Sequence, residues 1–235
     1  MRHKEREAKP VASGERGGTG VDELARLARR LYVEGPYLMR KMMHYRIRIC
    51  PFERILYHVP SGASVLDVGC GAGLFLALLA GTVPDLTGIG FDSSGPAIKT
   101  AERMSEEVRR MGLRSALQFL RLDVAEPWPS GTFDVVSLVD VLHHVRPEHQ
   151  KSVFERASKH VKANGILLYK DMANQPVFHA GMNRLHDLLL ARQWIHYVPI
   201  YHVDEWAREL GLTISHAEGM TRFWYRHELR VYRRP

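Results

Sequence analysis

The rhythm of apolar positions along this chain changes character near residue 60. Before that point it is helical. Leu24, Leu27, Ala28 and Leu31 recur at i, i+3, i+4 and i+7, which predicts an amphipathic helix from Val21 that Gly35-Pro36 terminates. A second helix is expected over Tyr37 to Ile49, with Met39, Met42 and Met43 near one face, and a short third one starts at Pro51 and closes before Pro60. Beyond residue 60, short apolar runs alternate with longer amphipathic segments. Strands are expected at 64–68, 87–91, 117–122, 134–139 and 165–170, and helices at about 74–80, 94–111 and 148–162. Asn164-Gly165 reads as the break between the last of these helices and its strand. Such alternation predicts an α/β domain built on a parallel sheet with helices on both faces. Residues 174–195 form an expected inserted helix outside the alternation, Asp204 to Leu210 a further short helix, and 212–217 with 223–232 a closing antiparallel pair. Residues 1–20 are polar and glycine-rich without a hydrophobic period, so a disordered leader is expected there. The implied organisation is leader 1–20, helical cap 21–60, and core 61–235 carrying an insertion at 174–200.

One of the strand–helix junctions carries chemistry. Val65-Leu66-Asp67-Val68 leads into Gly69-Cys70-Gly71-Ala72-Gly73 and then the apolar helix from Leu74. Glycines at 69, 71 and 73 let backbone approach a ligand closely, and the helix N-terminus beyond them offers unpaired N–H groups. A dinucleotide turn usually reads G-x-G-x-x-G. Here the third glycine comes one residue early, and the carboxylate of Asp67 stands where a pyrophosphate would be repelled and a cationic amine attracted. In open α/β sheets ligands lie outside the carboxyl ends of the strands. Asp92 ends the second expected strand, 23 residues after Gly69, near the roughly 20-residue spacing at which an acid reaches a ribose diol. Ser93 follows it, and Asp123-Val124 ends the third strand.

The turn resembles motif I of the class I S-adenosylmethionine (SAM)-dependent methyltransferases, two apolar residues and an acid before Gly-x-Gly-x-Gly. A second likeness lies in Phe133-Asp134-Val135-Val136, followed by Asp140-Val141-Leu142-His143-His144, which is similar to motif IV of the small-molecule members of types 11 and 25. The resemblance covers roughly residues 60–172. It implies a Rossmann-like, doubly wound, seven-stranded and mostly parallel sheet of order 3-2-1-4-5-7-6, with the last strand antiparallel. It also implies SAM as cofactor and S-adenosylhomocysteine as product. Asp67 and the stretch Gly69, Cys70, Gly71 and Gly73 would hold the methionine end. Asp92 with Ser93 would meet the ribose, Asp123 with Val124 the adenine edge, and Asp140 the amino end of the cofactor. The implied strand order makes the fourth and fifth strands neighbours, so His143 and Asp171 would lie side by side. His143 would serve as general base and Asp171 would fix its tautomer, with His144 as the alternative base.

Composition narrows the class further. Two cysteines, Cys50 and Cys70, provide no disulfide framework, and Met1-Arg2-His3-Lys4-Glu5-Arg6-Glu7 lacks an apolar signal core, so a cytoplasmic protein is expected. Neither His-Glu-x-x-His nor Cys/His ligand spacing occurs, and no metal is expected. The net charge of +7 is uneven: residues 1–60 hold 13 Lys/Arg against 7 Asp/Glu, residues 61–170 hold 12 against 12, and residues 171–235 hold 8 against 7. That basic N-terminal excess suits an anionic acceptor, a lipid surface or RNA. Arg40, Lys41, Arg46 and Arg48 could hold an acidic group or rest on a membrane. Tyr37, Met42, Tyr45, Phe178, Met182, Trp194, Tyr197 and Tyr201 are the candidate walls of an apolar acceptor pocket. The expected function is O- or N-methylation of a small organic acceptor, aromatic or lipidic. An RNA methyltransferase and a non-catalytic SAM-binding module are the alternatives, with a nicotinamide-dependent reductase behind them. The chain has no Pro-Pro-aromatic motif after the fourth strand and no thiol beyond Cys70, which weighs against the nucleic-acid classes.

Overall fold

The computed structural model describes residues 19–173 and 196–235. Most of the expected leader and the expected inserted helix, with Phe178, Met182 and Trp194, lie outside the described residues. Three helices open the described chain: α1 (Val21–Leu31), α2 (Tyr37–Ile49) and α3 (Phe52–Leu56). Then come β1 (Ser64–Val68), α4 (Leu74–Thr82), β2 (Thr87–Asp92), α5 (Gly95–Arg110), β3 (Ala116–Arg121) and β4 (Phe133–Val139). After β4 follow α6 (Pro147–Lys159), β5 (Val161–Met172), α7 (Ile200–Glu209), β6 (Thr213–Arg222) and β7 (Tyr225–Arg233).

The seven strands form one sheet in the order β3-β2-β1-β4-β5-β7-β6. Strands β1 to β5 pair in parallel, and β7 runs antiparallel between β5 and β6. The strand order reverses between β1 and β4, and a crevice opens there at the carboxyl ends. Helices α1 to α5 cover one face over a core that includes Leu24, Phe52, Val65 and Leu78. Helices α6 and α7 cover the other, over Phe91, Leu138, Phe154 and Tyr232. Helix α4 is buried on nearly every side, as an all-apolar helix must be. Gly81 on α4 leaves the room that Leu27 of α1 occupies, which draws the cap down onto the sheet domain.

Two expectations are corrected. Helix α6 ends at Lys159 rather than near 162, and Asn164-Gly165 interrupts β5 instead of separating helix from strand. The main chain already turns at His160, whose carbonyl accepts the Phe133 N–H at 2.8 Å. Val161 then pairs with Phe133, and the register shifts before Val135 meets Ile166. Asn164 takes a φ of 61° in that bulge. A Cβ at Gly165 would lie 2.9 Å from the Asp134 carbonyl oxygen, so only glycine fits beside β4.

Candidate active site

The turn after β1 is built as its glycines require. Gly69, Gly71 and Gly73 have φ of 65°, 55° and 77°, the left-handed region. A Cβ at Gly69 would stand 2.9 Å from the methyls of Val141, whereas one at Gly71 would meet nothing within 4 Å, so this peptide faces open space. Cys70 is buried, and its Sγ fills the space over Gly90, where a Cβ would be 2.9 Å away. That makes Cys70 a packing residue of the turn rather than an exposed thiol. Asp92 ties the turn to the next strand end: its Oδ2 accepts the Gly71 N–H at 2.9 Å and its Oδ1 accepts the Ser94 N–H at 2.8 Å. From the cap, the Tyr32 hydroxyl donates to the Ala72 carbonyl at 2.7 Å.

A cavity of about 720 Å³ opens at this crevice, with Gly69, Asp92, Ser93, Asp123, Val124 and Asp140 in its wall. Its volume lies within the usual range for small-ligand sites. Asp123 is braced by the Ala125 N–H, which donates to Oδ1 at 2.9 Å. Carboxylates from three strand ends share this wall with Arg146 and Arg156, and Asp92 and Asp123 suit hydroxyls and amines. Those acceptors and the open peptide at Gly71 fit SAM, which carries a diol, two amino groups and a sulfonium. Asp67 lies behind the turn rather than in the wall. It is buried, and its Oδ1 accepts the Ser137 hydroxyl at 2.7 Å. Burial pushes its carboxyl up to about 7, against the Ser137 hydrogen bond and the nearby Arg46, which pull it down.

Asp140 is held by cations on two sides. Lys170 Nζ lies 2.6 Å from Oδ1, and an Arg46 guanidinium nitrogen of α2 lies 2.9 Å from Oδ2. Burial opposes the charge on Asp140, but Lys170 and Arg46 overcome it and hold the carboxyl well below the usual carboxylate range. Lys170 stays charged by the same logic: burial works against it, and Asp140 lifts it above the ordinary lysine value. Asp140 itself has a φ of 59°, a strained conformation for a side-chain-bearing residue, and its N–H donates to the Lys170 carbonyl at 2.8 Å. The chain then enters a single 3-10 turn at Leu142–His144.

That turn carries both candidate histidines. His143 and Asp171 are 1% and 3% exposed, and Nδ1 of the imidazole hydrogen-bonds to Asp171 Oδ1. The Met172 N–H also donates to Oδ1, at 2.7 Å. Asp171 Oδ2 is buried with no hydrogen-bond partner among the described residues, so it retains capacity for a further donor. The pair is in place because β4 and β5 are neighbours, with Val139 beside Lys170 in the register. His144 packs its ring 4.1 Å from that of His143 and faces the cavity. Its outer edge is open to the cavity, yet burial by surrounding atoms and then the neighbouring His143 lower it to about 4. Two imidazoles thus serve different surroundings, one enclosed against a carboxylate and one at the cavity wall. Among the described residues no group of His, Cys, Asp and Glu could hold a metal ion.

Sequence reasoning missed Tyr32, Ser137 and Lys170, and offered Arg46 an acidic group or a membrane surface without identifying Asp140 as its partner. Alternation marks Ser137 and Lys170 as interior positions of buried strands, and a lysine or serine at such a place signals a buried partner. Tyr32 and Arg46 had no such signal. Their reach across 40 and 94 residues exists only once the cap has docked.

Comparison with known proteins agrees with this fold. A family model described as a methyltransferase domain matches residues 39–217. The chain is 27% identical over 166 residues to the ubiquinone biosynthesis O-methyltransferase of Alkalilimnicola ehrlichii, covering 68% of this chain and 64% of that protein. The match therefore spans just under two thirds of that relative's length. Among solved structures, an O-methyltransferase family 2 protein from Planctomyces limnophilus in complex with apigenin superposes with a TM-score of 0.65 at 21% identity, over 91% of this chain and 65% of the other. Magnesium protoporphyrin IX methyltransferase from Synechocystis with bound S-adenosylhomocysteine gives a TM-score of 0.64 at 17% identity, over 89% and 93%.

Proposed function

The chain belongs to the methyltransferase-domain family, and from that premise we propose that it takes SAM as its cofactor and methylates an oxygen or nitrogen of a small organic acceptor, aromatic or lipidic. The observation that carries the proposal is the enclosed His143–Asp171 pair at adjoining strand ends, beside a loop whose Asp140, Val141 and His144 wall the cofactor cavity. Bound SAM supplies an electrophilic methyl on a sulfonium whose leaving group needs no further activation. The protein is left to align the acceptor, exclude water and handle one proton.

Asp92 would accept the ribose hydroxyls through the lone pairs that its two backbone contacts leave free. Asp123 and Val124 would face the adenine edge, with Ser93 between the two acids. Gly69, Gly71 and Gly73 would let the methionine part lie against backbone, with Asp67 as counter-charge behind them. Asp171 holds Nδ1 of His143, so the tautomer with the proton on Nδ1 is favoured and Nε2 is the atom that would receive the acceptor's proton. As the acceptor oxygen or nitrogen took the methyl group that bound SAM would supply, the acceptor's proton would pass to Nε2 of His143. Asp171 then stabilises the imidazolium.

Two measurements test this. His143→Ala should lower turnover by roughly 10²-fold while SAM affinity by calorimetry stays unchanged; an unaltered rate removes His143 as base. Asp171→Asn keeps the shape, disturbs the tautomer and should slow turnover to a similar degree. If neither SAM nor S-adenosylhomocysteine binds the wild type, the enzymatic reading falls. If both bind and no phenol, amine or quinol is methylated, the SAM-binding module takes its place.

A further inference from the structure

Large apolar side chains are exposed around the carboxyl edge of the sheet, and they come from three separate elements. Tyr37 and Leu38 at the start of α2 are 67% and 66% exposed, Phe223 between β6 and β7 is 68%, and Tyr201 at the start of α7 is 64%. Tyr45 on α2 and Trp224 beside Phe223 are also exposed. Four contacts place these elements at the catalytic end. Helix α2 reaches Asp140 through Arg46, and its last carbonyl, that of Ile49, hydrogen-bonds His227 of β7 at 2.8 Å. Strand β7 is antiparallel to β5, so its first residues lie beside Met172, and the Ala173 N–H donates to the Arg226 carbonyl at 2.8 Å. The segment entering α7 is tied to the site by the His196 N–H, which donates to the His143 carbonyl at 2.9 Å.

Charge along α2 has one sign. Helix α2 has no acidic residue in its 13 positions. Its outward face interleaves Tyr37 and Tyr45 with Lys41 and Arg48, and Lys41 Nζ rests 5.4 Å from the centre of the Tyr37 ring. Arg29 and Arg30 are exposed in the last turn of α1. Among the described residues, Arg29, Lys41 and Arg48 have no carboxylate partner. His44 registers the field: burial lowers its pKa, and Arg29, Lys41 and Arg40 lower it further.

We propose that this edge docks on an anionic lipid bilayer, with α2 lying in the interface and the tip at Phe223-Trp224 as a second point of insertion. Unpaired cations alternating with aromatic rings on a helix suit the headgroup layer, where ring and charge are both accommodated. A protein partner would instead favour one contiguous apolar patch. Here the apolar groups come from three elements, and those of α2 alternate with cations. In this orientation the active-site end faces the bilayer.

Vesicle co-sedimentation of the full chain tests the idea, using phosphatidylcholine alone and phosphatidylcholine mixed with phosphatidylglycerol. Binding is expected to the mixed vesicles, weakening as salt rises. The double variant Lys41→Glu/Arg48→Glu should bind them roughly thirtyfold or more weakly, since each cation near such a surface contributes a substantial fraction of the attraction. Leu38→Ser/Phe223→Ser should weaken binding without changing its salt dependence. Unchanged melting temperatures show that the variants fold, and unchanged affinity for S-adenosylhomocysteine separates this result from any failure of the enzymatic reading. No sedimentation with mixed vesicles at low salt overturns the proposal, as does equal binding by the charge-reversed variant. A wild-type dimer that Leu38→Ser/Phe223→Ser converts to monomer, seen by light scattering, also overturns it, because a second copy would then cover the face.

Discussion

Asp67 shows how a buried carboxyl beside a ligand site can weaken folding. In the unfolded chain it loses its proton near its ordinary 3.8, but burial holds the proton in the folded chain up to about 7. The folded state therefore binds the proton more tightly, and the stability of the ligand-free protein falls as pH rises from about 4 to about 7 on account of this group. Asp67→Asn keeps an acceptor for the Ser137 hydroxyl and removes the buried charge. The ligand-free variant should melt above the wild type at pH 8, by on the order of a few kcal/mol in stability, and the two should converge near pH 4. Calorimetry in the same buffers should show weaker SAM binding by the variant. Asp92→Ala is expected to raise the SAM dissociation constant by about tenfold or more, since Asp92 stands in the cavity wall and also braces Gly71. Each of these acids was legible from its place at a strand end. The proton affinity of Asp67 was not, because it depends on how deeply the surrounding helices bury the turn.

At the scale of elements, the segment after β4 is the most constrained part of the site. Asp140 takes a left-handed φ there and is clamped by Lys170 from β5 and Arg46 from α2, just before the turn that carries His143. Removing one partner of a buried ion pair costs more than the pair contributes, because an uncompensated charge remains. Lys170→Met should therefore lower stability by about 3–5 kcal/mol in urea titrations. It should also slow turnover by loosening the loop that leads to His143. Alternation of apolar runs located nearly every helix and strand, yet it misread Asn164-Gly165. An Asn-Gly pair supplies positive φ equally well at a helix end or in a strand bulge. The choice fell to the bulge because β5 pairs with β4 on both sides of it.

Over the whole molecule, the sheet order places every candidate group at one edge. A ligand at that edge should stabilise the entire cooperative unit. At a hundred times its dissociation constant, S-adenosylhomocysteine should add about 2.7 kcal/mol and raise the melting temperature by roughly 5–10 °C, whereas a nicotinamide dinucleotide should leave it unmoved. A thermal-shift titration of both reads the difference. The chain by itself determined the α/β alternation, the glycine turn, and acids at successive strand ends. Those features follow from local periodicity and from backbone conformations that few residues allow. Tertiary structure alone decided that Arg46 would clamp Asp140, that Asp67 would sit behind the turn with a raised proton affinity, and that three exposed aromatic elements would share the catalytic edge. Contacts of that kind join residues far apart in sequence, and burial and charge act through distances that only the packed chain sets.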